Sequence, residues 1–152
     1  MREIKFRAWV KSKRKMYHDV RVGSGGMSIY GFKKEYPNEW VYFHPEDIQL
    51  MQYTGLKDKN GKEIYEGDIV YCALLSDRYG SQSVIEPIAC GEIKYVNGAF
   101  IIDSLREEDS VTFYYLYSQK EKDKILLEIK SNKYEDPQSL YLYFRRNRND
   151  QN

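Results

Sequence analysis

Cysteine and histidine are the scarcest chemical resources of this chain, at two residues each. Cys72 and Cys90 are too few for a disulfide framework and are not spaced as a metal knuckle, so reduced, buried thiols are expected. His18 and His44 lie far from each other in sequence and from both cysteines. His18 reads as a strand residue on the buried face with its ring hydrogen-bonded, and His44, placed before Pro45, as a turn residue. No nucleophile elbow, P-loop or His-Glu-x-x-His pattern occurs. The glycine cluster Gly23-Ser24-Gly25-Gly26 lacks the strand-then-helix setting of a phosphate cradle and reads as a loop. Long apolar runs are missing too: nothing approaches the roughly 18 residues of a membrane span. The charged start Met1-Arg2-Glu3-Ile4-Lys5 has no signal-peptide core, so a cytoplasmic protein without membrane contact is expected.

Aromatic side chains are plentiful. Fifteen Tyr, six Phe and two Trp make 15% of the 152 residues, a composition that suits half-buried pleated sheets. With 41% hydrophobic content the chain can bury one good core or two small ones. Charge nearly cancels, at +1, yet it is unevenly spread. Residues 1–34 carry +8, residues 35–69 carry −5, residues 70–144 carry −4, and the last eight carry +2. A basic head on an acidic body fits either a polyanion-binding face or a surface complementary to a second copy.

Along the chain, Ile4, Phe6, Ala8 and Val10 alternate with Lys5, Arg7 and Trp9, which predicts a strand with one buried face. A charged reversal at Lys11-Ser12-Lys13-Arg14-Lys15 leads to a second alternation from Met16 to Val22, completing a hairpin. Its polar face would gather Lys5, Arg7, Trp9, Tyr17 and Arg21, with Lys11, Lys13, Arg14 and Lys15 at the tip. Short strands follow at Met27–Phe32 and Trp40–Phe43, then a helical turn at His44-Pro45-Glu46-Asp47. Ile48 to Tyr53 re-enters the sheet and ends at Gly55. Asn60-Gly61 predicts a tight type I′ turn, and Glu66-Gly67 launches the apolar strand Asp68–Leu75. Val84–Val96 is broken by Pro87, with Gly91 read as a bulge, and Asn97-Gly98 makes a second tight hairpin into Ala99–Ile102. Lys124–Ile129 closes the sheet; 104–123 and the segment beyond Pro137 are open between helix, strand and loop.

The stretch Tyr53-Thr54-Gly55-Leu56-Lys57-Asp58-Lys59-Asn60-Gly61-Lys62-Glu63-Ile64-Tyr65-Glu66-Gly67-Asp68-Ile69-Val70 resembles the central motif of the YopX-like proteins of bacteriophages and prophages. Weaker similarities lie in Arg2-Glu3-Ile4-Lys5-Phe6-Arg7-Ala8-Trp9 and in Ile129-Lys130-Ser131-Asn132-Lys133-Tyr134-Glu135-Asp136-Pro137. The segments 74–92 and 137–152 depart from that pattern. The resemblance implies a phage-encoded protein in a bacterial host cell and brings no catalytic residues with it.

The expected fold is therefore α+β and predominantly antiparallel β. A β-rich subdomain (1–56) with the basic hairpin precedes an SH3-like small barrel (57–136) and a C-terminal extension (137–152). Asp47, Asp58, Glu63, Glu66 and Asp68 could form a divalent-ion cluster, but the turn setting of these acids favours backbone hydrogen bonding instead. No enzyme, cofactor or metal is expected. The residues that stand out, Gly55, Asn60, Gly61, Gly67, Asp68, Asn97 and Gly98, shape turns. The preferred reading is a homo-oligomeric interaction module. The alternative is nucleic-acid binding through the basic hairpin and its aromatics, and a host protein is a third partner class.

Overall fold

A computed structural model describes residues 3–18, 20–22, 29–32, 40–76, 84–104, 111–112 and 125–138. The chain divides into two compact units, Met1–Gly55 and Leu56–Asn152. Strand pairings are antiparallel, and among the described residues the helical content is one 3-10 turn, Pro45–Asp47. The helical part of the expected α+β fold is thus not found, and the segments where it was left open lie largely outside the described residues.

In the first unit, β1 (Phe6–Val10) lies between β2 (Lys15–Tyr17) and the start of β6 (Ile48–Lys57). A separate antiparallel sheet runs β3 (Val20–Val22), β4 (Ile29–Phe32), β5 (Trp40–Phe43). The alternation from Met16 to Val22 is therefore not one strand: it breaks after Tyr17, and Val20–Val22 pairs with β4 instead of β1. Ala8, Val10, Tyr17, Phe43 and Ile48 form the core cluster of this unit. Ala8 sits opposite Tyr17 in the ladder, and the space above this small residue lets the Tyr17 ring tilt onto Phe43 at 5.3 Å between centroids.

In the second unit, β7 (Glu63–Tyr65) returns from the end of β6. The larger sheet follows the order β11 (Val111–Thr112), β10 (Ala99–Ser104), β9 (Val84–Val96), β8 (Asp68–Ser76), β12 (Ile125–Asn132). Its core joins Leu56 and Ile64 to Val70, Cys72, Ile93, Phe100, Ile102 and Leu127. Val70 and Cys72 of β8 and Phe100 and Ile102 of β10 point into it, two residues apart as the pleat requires. The irregularity of β9 falls beside Pro87, where the register shifts between Cys72 and Ala73. Proline cannot donate to the ladder, and the extra residue, Ile88, absorbs the mismatch. Gly91, the expected bulge, instead permits a close approach: a Cβ there would stand 2.3 Å from the Asp103 carbonyl oxygen.

Candidate interaction surface

The motif from Tyr53 to Val70 is held by its own acids. Asp58 opens the β6–β7 connection, and its carboxylate accepts the backbone N–H of Asn60 at 2.8 Å and of Lys62 at 2.9 Å. The Gly61 N–H donates to the Asp58 carbonyl at 3.0 Å, and the Asp58 N–H to the Lys62 carbonyl at 2.8 Å. Gly61 has φ +80 while Asn60 stays outside the left-handed region, so this is a three-residue loop ending in a bulge and not the expected type I′ turn. The side chain of Asp58 decides the difference, because it stabilises a turn in which Asn60 need not invert. Burial works against the charge of Asp58, yet the N–H groups of Lys62, Asn60 and Ile129 outweigh it and hold the carboxyl below its usual range.

Asp68, 1% exposed, accepts the Tyr65 N–H at 2.9 Å and the Asn132 amide at 3.2 Å. Asn132 in turn accepts the Tyr134 N–H at 3.0 Å, tying the start of β8 to the end of β12. Glu63 accepts the Tyr65 hydroxyl at 2.7 Å. The remaining turn residues fall in the left-handed region, Gly55 at +90, Gly67 at +76, Asn97 at +50 and Gly98 at +82. Asn97-Gly98 is the type I′ hairpin that the dipeptide predicts. Among the described residues, no three His, Cys, Asp or Glu side chains come together as a metal site. Cys72 and Cys90 are both buried and form no disulfide, and burial pushes the Cys72 thiol up to about 12.

The basic hairpin is partly rearranged relative to expectation. Arg7 is 3% exposed and Tyr17 8%, so neither contributes to an exposed cationic face. Tyr17 belongs to the core cluster, while Arg7 lies opposite the equally covered Met51, and β1 is buried at the successive positions Arg7 and Ala8, so both of its faces are covered there. Trp9 is half-buried, and Lys5 pairs with Glu3 at 3.1 Å and stands over the Tyr53 ring. Arg21 is in β3 opposite Tyr30, and its side chain lies outside the described residues.

The tip itself is built differently. Lys11, Lys13, Arg14 and Lys15 are all exposed. The turn is anchored to the 3-10 turn Pro45–Asp47 by the Lys11 N–H to the Asp47 carbonyl at 2.9 Å and by the Lys11 ammonium to the Glu46 carbonyl at 2.9 Å. The Asp47 carboxylate accepts both the Ser12 N–H, at 2.8 Å, and the Ser12 hydroxyl. Ser12's hydroxyl, then its N–H, then the charges of Lys11 and Lys13 lower the Asp47 carboxyl below its ordinary range. Arg14 takes a φ of +47, uncommon for a non-glycine residue, where its N–H closes the turn onto the Lys11 carbonyl at 3.2 Å. Asp47 had been weighed as a metal ligand; its role as an anchor was invisible because its partner is 35 residues away.

Acids on the second unit's sheet meet lysines of the same unit. Glu92 pairs with Lys133 at 2.6 Å, Asp103 with Lys94, and Glu128 with Lys59 and Lys130 at 2.9 Å each.

A family model described as YopX protein matches residues 5–140. The crystal structure of protein EF1440 from Enterococcus faecalis is similar to this chain at 25% identity and a TM-score of 0.54, covering 92% of this chain and 99% of that one. No curated protein matches the sequence.

Proposed function

The chain belongs to the YopX protein family, and for this member we propose a non-catalytic, phage-encoded interaction module that assembles with copies of itself through the anchored basic tip. The observation that carries this reading is the Lys11–Lys15 turn, where four exposed cations share five residues on a loop fastened to Pro45–Asp47. A tethered turn presents its charges with less ordering cost than a free loop, which is what a docking element requires. The motif acids that chemistry would need are occupied in turns, Asp58 by backbone N–H groups and Asp68 by Tyr65 and Asn132. Glu92, Asp103 and Glu128 of the larger sheet have lysine partners already, so the tip of one copy would meet other acidic positions of the next, of which Glu135 is exposed. Within this reading the second unit is an SH3-like small barrel, a reading supported by its hairpin-linked antiparallel strands and the bulge beside Pro87.

Nucleic-acid binding is the second reading, and the same tip supports it in a reduced form. With Tyr17 in the core, and with Lys5 and Lys15 over the rings of Tyr53 and Tyr17, stacking surface on the described residues of the hairpin is scarce and phosphate contact would dominate there. Light scattering across a salt series tests the first reading: an assembly that dissociates with salt, and that is lost in Lys13→Ser/Lys15→Ser, supports it. A monomer at low salt refutes it. An electrophoretic shift of short DNA at low salt, abolished by the same pair, would favour the second.

A further inference from the structure

Two Asn-Gly dipeptides occupy exposed turns of this protein, and their surroundings differ in a way that bears on their chemistry. From these surroundings we infer that Asn97 is a site of spontaneous deamidation while Asn60, with the same following residue, is protected by Asp58. In this reaction the Gly backbone nitrogen loses its proton and attacks Cγ of the preceding asparagine. A C–N bond forms, the bond to the side-chain amide nitrogen breaks, and ammonia leaves. Water then opens the cyclic imide on either side, giving aspartate or isoaspartate. The net change is replacement of an amide by an acid, with water as the only co-reactant.

Steric access does not separate the two sites, since no atom lies within 4 Å of the position a Cβ would take at Gly61 or Gly98. Hydrogen bonding does. At the first site the Gly61 N–H, the nucleophile's precursor, is held by the Asp58 carbonyl at 3.0 Å. The Asn60 N–H is held by the Asp58 carboxylate at 2.8 Å, and the Asn60 side-chain amide approaches the same carboxylate at 3.4 Å. One residue further back, the Lys59 N–H is bound to the Leu127 carbonyl at 2.8 Å, so the whole loop is pinned to β12. To bring Gly61 N onto the Asn60 Cγ, several of these bonds must break together.

At the second site, among the described residues, neither the Asn97 side chain nor the Gly98 N–H has a hydrogen-bond partner. The ladder closes at Val96 opposite Ala99 and leaves the two turn residues outside it. The two residues before the turn are exposed, Tyr95 at 51% and Val96 at 41%, and so are Asn97 and Gly98 themselves. An isoaspartate at Asn97 would lengthen the backbone of a two-residue turn and disturb this register, together with the Tyr95–Phe100 edge contact at 5.0 Å.

The test is peptide mass mapping of the folded protein during incubation at mildly alkaline pH. The Asn97 peptide should convert roughly tenfold faster than the Asn60 peptide, the factor that corresponds to about 1.4 kcal/mol, the size of one to two hydrogen bonds broken before attack. In strong urea the two rates should converge, and Asp58→Ala should raise the Asn60 rate in the native protein. If Asp58→Ala fails to fold, the comparison of native with urea-unfolded wild type still decides. Equal native rates, or faster conversion at Asn60, would overturn the inference.

Discussion

Replacing Asp68 by alanine should cost the second unit about 3 kcal/mol, because a buried hydrogen-bond donor that loses its acceptor costs about 1–3 kcal/mol and this carboxylate serves at least two. Both lie in the interior of the unit: the Tyr65 N–H at 2.9 Å and the Asn132 amide at 3.2 Å, around a side chain 1% exposed. Two donors set a gross loss of about 2–6 kcal/mol, and relief of the carboxylate's own desolvation brings it toward the lower half of that range. Asn132→Ala should cost less, since it removes one partner of Asp68 and the cap on Tyr134 while leaving the Tyr65 bond in place. The double variant should then be less damaged than the sum, by about 1 kcal/mol of coupling. Urea unfolding followed by circular dichroism reads these differences. Both tryptophans, Trp9 and Trp40, are in the first unit, so indole fluorescence would report the wrong part of the chain. A loss under about 1 kcal/mol with no coupling to Asn132 would refute the reasoning, for it would mean that the carboxylate is not holding the turn.

Three further outcomes are expected. Gly91→Ala should destabilise the larger sheet by about 3 kcal/mol, the upper end for overpacking, because the added Cβ would meet the Asp103 backbone at 2.3 Å; a near-neutral urea midpoint would contradict the close approach. Asp58 has a folded pKa below its unfolded one, so its carboxylate stabilises at neutral pH and that contribution fades as pH falls through the folded value. The stability gap between wild type and Asp58→Asn should accordingly be constant above about pH 5 and close below about pH 4, and a gap that widens on acidification would reverse the sign. Cys72, with its thiol pushed up to about 12 and fully buried, should resist iodoacetamide in the native protein and react on unfolding in urea; rapid native labelling there would show an opening that the fold does not contain.

Strand positions were largely legible in the sequence because local chemistry specifies them. Trp40–Phe43 and Val84–Val96 run as their apolar patterning indicates, the 3-10 turn follows His44-Pro45, and Asn97-Gly98 turns as two residues of positive φ must. Most of the failures share one physical origin, contact between residues far apart in the chain; the Asn60-Gly61 turn is the exception, since Asp58 lies two and four residues from the N–H groups it accepts. Alternation identifies the two faces of β1, but it does not say that both are covered, and so Arg7 was misplaced; Tyr17 was misplaced by register, for it pairs with Ala8 and shares its apolar face. An Asn-Gly dipeptide permits a type I′ turn; the Asp58 carboxylate selects another at Asn60-Gly61. Of the candidate surface, the sequence supplied the four cations of the tip, and their anchor at Asp47 emerged only from the folded chain.

By itself, then, the order of residues determined where the chain extends and where it reverses, since backbone preference and side-chain alternation act over a few residues. That Asp47 anchors the basic tip, that Asp68 binds Asn132, and which cations remain outside, was decided only when distant segments met, because burial and long-range hydrogen-bond partnership are properties of the packed chain.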